Sequence, residues 1–167
     1  QPRPGGRIPA PLYPNSRFMT QPRSGVRRFA TEIPQAIGRV WQADDTVRPI
    51  LLTPPAALVD GGTSGLERQT VGRRRGQVWE QFDLPRHTRG GMLLNLGNTA
   101  PVMGGQQVVV LHDAGVFSQP DAYSWRFRLW YRVLHTLLLR TRARFATVSE
   151  FSRQELARHL GVPAGRF

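Results

Sequence analysis

The chain has no cysteine and no lysine. Without cysteine there are no disulfides and no thiolate metal sites, which is compatible with a reducing compartment. Without lysine there is no P-loop, which grips phosphate with a lysine after its glycines. Acidic residues are scarce, 11 against 23 basic ones, so the formal charge is +12. All the basic residues are arginine. Nucleic-acid binders usually mix both cations, because lysine also serves as a phosphate contact. Arginine alone, beside abundant Ala, Gly and Pro, reads as the codon bias of a GC-rich genome and argues against a nucleic-acid partner. The remaining charge can attract phosphates, anionic lipid or acidic substrates. No long hydrophobic run is present. The best stretch, residues 129–139, is broken by Arg132 and His135 and is too short to span a bilayer. No secretory signal is visible, so the expected location is cytoplasmic, with peripheral contact at the inner face of the cell membrane as a further option.

What is present fits one domain of ordinary size: 167 residues, 40% hydrophobic. Residues 1–14 hold five prolines and Gly5-Gly6 and read as a tail; the domain is expected over 15–167. Phe18 and Met19 read as part of a first strand. Ser24 is a candidate helix cap, followed by Val26, Phe29, Ile33 and Ile37 at helical spacing, with Pro34 expected to interrupt the helix. Residues 50–53, 66–71, 92–96, 107–112 and 145–148 read as strands. A short helix is expected over 78–82, ending near Pro85. The longest helix is expected over 121–142, with Phe127, Trp130, Tyr131, Leu134, Leu137 and Leu138 on its inner face and arginines on another. A last helix is expected from Ser152, as its cap, to Leu160, with Glu155 completing a capping box and Gly161 ending it. Alternating strands and helices predict an α/β fold with a doubly wound, Rossmann-like parallel sheet.

Val108-Val109-Val110-Leu111 is an apolar run of the kind found in strands buried on both faces. It runs into His112-Asp113, and open parallel sheets bind ligands just beyond the carboxyl ends of their strands. An imidazole and a carboxylate thus fall where such folds keep their chemistry. An equally good reading has Asp113 closing a turn and His112 ending a strand. Ser24-Gly25-Val26, with Arg27 and Arg28, reads either as a phosphate-facing loop at a helix start or as a tight turn. His87, His135 and His159 stand at no ligand spacing, so no metal site is predicted. No G-x-S-x-G elbow is present either. The basic amphipathic pattern of 121–142 reads first as a surface helix packed on the sheet and second as a lipid-docking helix.

The chain resembles the N-terminal domain of the retaining glycosyltransferases of family 4, the group 1 enzymes with a GT-B fold. The resemblance rests on Asn15-Ser16-Arg17-Phe18, SGVRRFATEI (24–33), VWEQFDLP (78–85), LLNLGNTAPV (93–102), VVVLHDAGVFSQPDAYS (108–124) and TVSEFSRQELARHLGV (147–162). It implies an acceptor-side domain facing a second, nucleotide-sugar-binding domain that this stretch does not include. It implies transfer of a hexose to a glycan or lipid-linked acceptor, with a nucleotide sugar as donor, no separate cofactor, and little activity from this domain alone. By resemblance Gly25 and Val26 lie near the donor diphosphate, His112 contacts the transferred sugar as the catalytic residue, Asp113 stands beside it, and Ser149 and Glu150 lie near the cleft. Pro14, Ser16 and Pro34 depart from the family pattern. The rival expectation is an arginine-rich, non-enzymatic module that binds nucleic acid or anionic membrane.

Overall fold

The computed structural model describes residues 11–20, 24–42, 49–55 and 66–167. It is an α/β structure. Four parallel strands pair in the order β1 (Leu12–Pro14), β4 (Met92–Asn95), β5 (Gln107–Leu111), β6 (Arg144–Thr147). A second parallel pair, β2 (Ile50–Thr53) and β3 (Glu67–Thr70), is joined to β1 through a single bridge between Asn15 and Leu52. The order along the whole array is therefore 3-2-1-4-5-6, which reverses direction between β1 and β4.

The strand period sorts side chains to two faces. Val108 and Val110 of β5 pack with Leu94, Leu96 and the side chains Phe29, Ile33 and Ile37 of α1 (Gly25–Gln42). Val109 and Leu111 pack with Leu134 and Leu138 of α5 (Trp125–Leu139) and Leu156 of α6 (Glu150–Leu160). Helices thus cover both faces. Strands β2, β4 and β5 and the caps at Ser24 and Gly161 match the sequence expectations, and Gly161 holds the left-handed φ of 67° at the helix end.

Several expectations are corrected. The first strand is Leu12–Pro14, so the end of the Pro-rich stretch belongs to the sheet; residues 1–10 lie outside the described residues. Phe18 and Met19 sit in a 3-10 turn, Arg17–Thr20, with the two apolar side chains buried at 3% and 2% exposure. The turn forms because the Arg17 N–H donates to Asn15 Oδ1 and the Met19 N–H to the Ser16 carbonyl. Helix α1 (Gly25–Gln42) runs through Pro34 without a break. Proline removes one ladder bond, but Pro34 is itself buried and its neighbours Phe29, Ile33 and Ile37 hold the helix against the sheet. The short helix at 78–82 is part of a longer helical run: α2 (Gly76–Val78), a π turn (Trp79–Asp83) and α3 (Leu84–His87). The wide π turn, with the Leu84 N–H reaching back to the Trp79 carbonyl, lets the run pass through Pro85, which lacks an N–H.

Helix α5 has 15 residues against 18 for α1, so it is not the longest. Its inner stripe is the half-buried Tyr131 and the buried Leu134, His135 and Leu138, at i, i+3, i+4 and i+7, while Phe127, Trp130 and Leu137 are exposed. Helix α6 starts one turn early: Ser149, not Ser152, caps it.

The basic turn at 73–75 is anchored by Asp83, whose carboxylate accepts the Arg73 and Arg74 N–H groups and the Arg74 guanidinium. Gly72 permits the approach: its φ is +74°, and a Cβ there would meet the Asp83 Cβ at 2.5 Å. Burial raises the Asp83 pKa, but these donors together outweigh it and hold the carboxyl below 3.8. A depressed carboxylate stabilises the fold above its unfolded value, and that contribution fades as pH falls through the folded one. Asp83→Asn is therefore expected to lower the melting temperature at about pH 7, with the gap to the parent protein closing below 3.8. A gap that stays constant across that range would assign the stabilisation to something other than the charge.

Candidate functional site

The carboxyl ends of β1, β4, β5 and β6 carry the loops 15–17, 97–99, 112–113 and 149–150. His112 follows the last residue of β5 and is held on four sides. Its N–H donates to Asn98 Oδ1 at 2.6 Å, and its carbonyl accepts from Ser152 Oγ at 2.7 Å. Its ring Nε2 lies 2.8 Å from the Leu96 carbonyl, and Phe29 meets the ring edge to face at 4.8 Å. A carbonyl can only accept, so Nε2 carries a proton, and in the neutral ring Nδ1 presents a lone pair. The end of β4, the start of α1 and the start of α6 thus jointly fix one imidazole.

Asn98 is the one non-glycine residue with positive φ among those described, at 65°. Asparagine tolerates this region better than most residues. Three bonds keep it there: its N–H to the Val110 carbonyl (3.3 Å), its Oδ1 to His112, and its carbonyl to His135 Nε2 (2.9 Å). His135 is 2% exposed, and its Nδ1 has no partner. Burial lowers its pKa below 6.5, with the Asn98 carbonyl opposing in part. Burial also raises the Tyr131 pKa; Arg17 opposes this, while Glu80, Tyr123 and Asp113 add to it.

A buried polar network joins the loops after β1 and β4 to the π turn. Asn15 Nδ2 donates to Glu80 Oε1 at 2.7 Å and to Asn95 Oδ1 at 2.9 Å. Arg17 donates to Thr99 Oγ1 at 2.6 Å, and its Nε lies 3.2 Å from Glu80 Oε1 as a charge contact without hydrogen-bond geometry. Thr99 donates to the same Glu80 oxygen at 3.1 Å. Glu80, 1% exposed, is brought here by the π turn.

The other expected site residues differ in how firmly they are placed. Gly25 opens α1, is exposed, and has open space around its Cβ position. Among the described residues, neither its φ nor its packing requires glycine. Val26 is half-buried beside it. Asp113 is exposed, and its Oδ1 accepts the Gly115 N–H at 2.8 Å, closing a turn. Ser149 caps α6, and Glu150 is exposed, bound to Gln154 (2.7 Å) and Arg153 (2.8 Å), which lower its pKa in that order. His112 is joined to α6 through Ser152 rather than through Ser149 or Glu150. Sequence reasoning missed Ser152, Asn98 and Phe29 as partners of His112. The Gly97-Asn98 pair was the one available signal, because asparagine after glycine at a strand end favours a left-handed residue.

Among the described residues no cluster of three or more His, Asp or Glu could hold a metal ion, and no helix is long and apolar enough to cross a membrane. A cavity of about 520 Å3 lies at the other end of the sheet, between Phe82, Arg86, Arg89 and Met103, and contains none of the expected site residues. No protein-family model, curated protein or solved structure matches the chain.

Two outcomes are expected. Asn98→Ala lowers stability by about 1–3 kcal/mol, and Asn98→Gly by less, because glycine accepts the backbone angle; denaturant unfolding measures both, and equal losses would assign the whole effect to the Oδ1 bond. His135 ring signals titrate below 6.5 by NMR. Because the unfolded chain then binds more protons than the folded one, His135 contributes stability that declines as pH falls below 6.5.

Proposed function

We propose that this chain is the acceptor-side, Rossmann-like domain of a retaining, sugar-nucleotide-dependent glycosyltransferase with a GT-B fold. The observation that carries this reading is the fixed imidazole of His112 at the carboxyl end of β5, one strand beyond the reversal between β1 and β4. Ligands of open parallel sheets bind on this carboxyl-end side, near such a reversal. The strand order 3-2-1-4-5-6 supports the Rossmann-like part of the reading.

In this reading the bond from the anomeric carbon to the nucleotide diphosphate breaks, a bond to the acceptor hydroxyl forms, and the hydroxyl proton leaves with the diphosphate. His112 acts by position. With Nε2 protonated against Leu96, its Nδ1 accepts from a hydroxyl of the transferred sugar. The ring is therefore an orienting acceptor rather than a general acid. The open start of α1 at Gly25 and Val26 faces the donor diphosphate, and Asp113, Ser149 and Glu150 line the same side. The nucleotide itself belongs to a second domain, and the acceptor is a glycan or a lipid-linked saccharide.

The test needs a polypeptide that includes the nucleotide-binding domain. There His112→Ala is expected to lower turnover on the order of 10²-fold, measured with the natural donor. Near-normal transfer by that variant would sink the assignment.

A further inference from the structure

The cavity of about 520 Å3 at the amino end of the sheet has two walls tied to each other. One is the π turn and α3, through Gln81, Phe82 and Arg86; the other is the pair of loops that lead into β4 and β5. Gln81 joins them: its Nε2 donates to the Ala100 carbonyl at 2.9 Å, and its Oε1 accepts the Val102 N–H at 3.0 Å. Each loop meets the cavity with a glycine pair, Gly90-Gly91 and Gly104-Gly105. Gly91 and Gly104 pack so closely on Pro11 and Gln107 that a Cβ would collide. Gly90 and Gly105, with φ of +80° and +65°, have open space at the Cβ position among the described residues. This wall is therefore largely backbone, and a ligand can come close to it.

The side chains that remain are cationic and soft. Arg86 and Arg89 line the cavity, both exposed, and no carboxylate lines it. Arg86 Nη1 donates to the Phe82 carbonyl at 2.6 Å, which anchors this guanidinium to the π turn. Asp83 Oδ1 lies 3.9 Å from the same nitrogen, but that carboxylate already serves the turn at 73–75. Phe82 and Met103 line the same cavity at 55 and 81% exposure.

We propose that this cavity binds a small aromatic phosphate, a flat ring that carries a phosphate ester. The volume suits an organic ligand rather than a bare ion. Two guanidinium groups match the charge of a phosphate dianion, and their forks match its oxygens. The ring stacks on Phe82 and meets the Met103 sulfur. Residues 1–10, which lead into β1 at this end of the sheet, carry Arg3 and Arg7 and no acidic residue, so they bring the arginines no counter-charge. The cavity is separated from His112 by the length of β5, roughly 20 Å at 3.3 Å per residue. The inference does not rest on the sugar-transfer reading, and no arm of its test reads transfer, so either can fail alone.

The experiment titrates the 167-residue chain with 1-naphthyl phosphate and follows its glycine amide signals by NMR. Gly90, Gly91, Gly104 and Gly105 are expected to shift together, while Gly25 and Gly97 stay in place. Arg89→Gln is expected to weaken binding about tenfold or more, and Phe82→Leu about threefold or more. Both side chains are exposed, and circular dichroism confirms that each variant is folded. On the unaltered chain 1-naphthol, 1-naphthoate and inorganic phosphate are each expected to bind about tenfold more weakly or worse. Five results would overturn the proposal. One is an absence of shifts at the four glycines. Another is equal shifts at Gly25 and Gly97, which would be attraction of an anion by net charge. A third is unchanged binding by Arg89→Gln or equal binding of 1-naphthol, which would make the cavity an apolar slot. A fourth is equal binding of inorganic phosphate, which would make it a site for the ion alone. The last is equal binding of 1-naphthoate, which would assign the arginines to a carboxylate.

Discussion

The sheet depends on the junction at Asn15. Successive N–H groups of a strand point to opposite sides, so the Asn15 N–H reaches Leu94 of β4 and the Ser16 N–H reaches Leu52 of β2. The residue before them on the β2 side is Pro14, which has no N–H to give. One bridge and the bonds around Ser16 therefore carry the join between β2 and β1. The Asn15 side chain secures the junction from below by tying Asn95 of β4 to Glu80 of the π turn. A buried pair such as Arg17 and Glu80 adds little net stability against desolvation, but removing one partner typically costs about 3–5 kcal/mol. Here the pair joins the turn after β1 to the loop after β4, because Arg17 and Glu80 both bond Thr99.

Much of the fold was legible because it rests on local patterns. The apolar run 108–111, the Ile50-Leu51-Leu52 strand stopped by Pro54, and the alternation of strands with helices are all visible in one dimension. The errors share a cause. Pro34 and Pro85 were read by intrinsic propensity, and tertiary packing and a π turn overrode it. Phe18 and Met19 have strand-like composition, but the Asx bond from Asn15 turns the chain first. On α5 the arrangement depends on which face meets the sheet, and a polar residue, His135, takes a core position because the Asn98 carbonyl waits there.

The site was legible to one residue. A histidine at the end of a buried parallel strand can be found by pattern, and His112 is where the pattern puts it. Its supports lie 14, 16 and 40 residues away, at Asn98, Leu96 and Ser152, and one of them is a backbone carbonyl that no residue type signals. Ser152 looked like a helix cap because serine at that spacing usually is one. Ser149 took the capping role one turn earlier, which left the Ser152 hydroxyl free to reach across to β5. The tautomer, and with it the difference between accepting and donating a proton, became readable only once the Leu96 carbonyl was placed.

The two outer strands of the array differ in a way that bears on how the protein behaves when concentrated. Strand β3, at one end, presents Glu67, Gln69 and Thr70 to solvent, and a charged, polar margin discourages another chain from adding to the ladder. Strand β6, at the other, follows its exposed Arg144 with Phe145, Ala146 and Thr147, all half-buried, and pairs only with β5 among the described residues. Among the described residues it is the less polar of the two margins, with Phe167 and Arg166 packed against Phe145. Arg144 at its entrance and the Arg166 guanidinium, 5.3 Å over the Phe145 ring, put positive charge on that margin and act as gatekeepers.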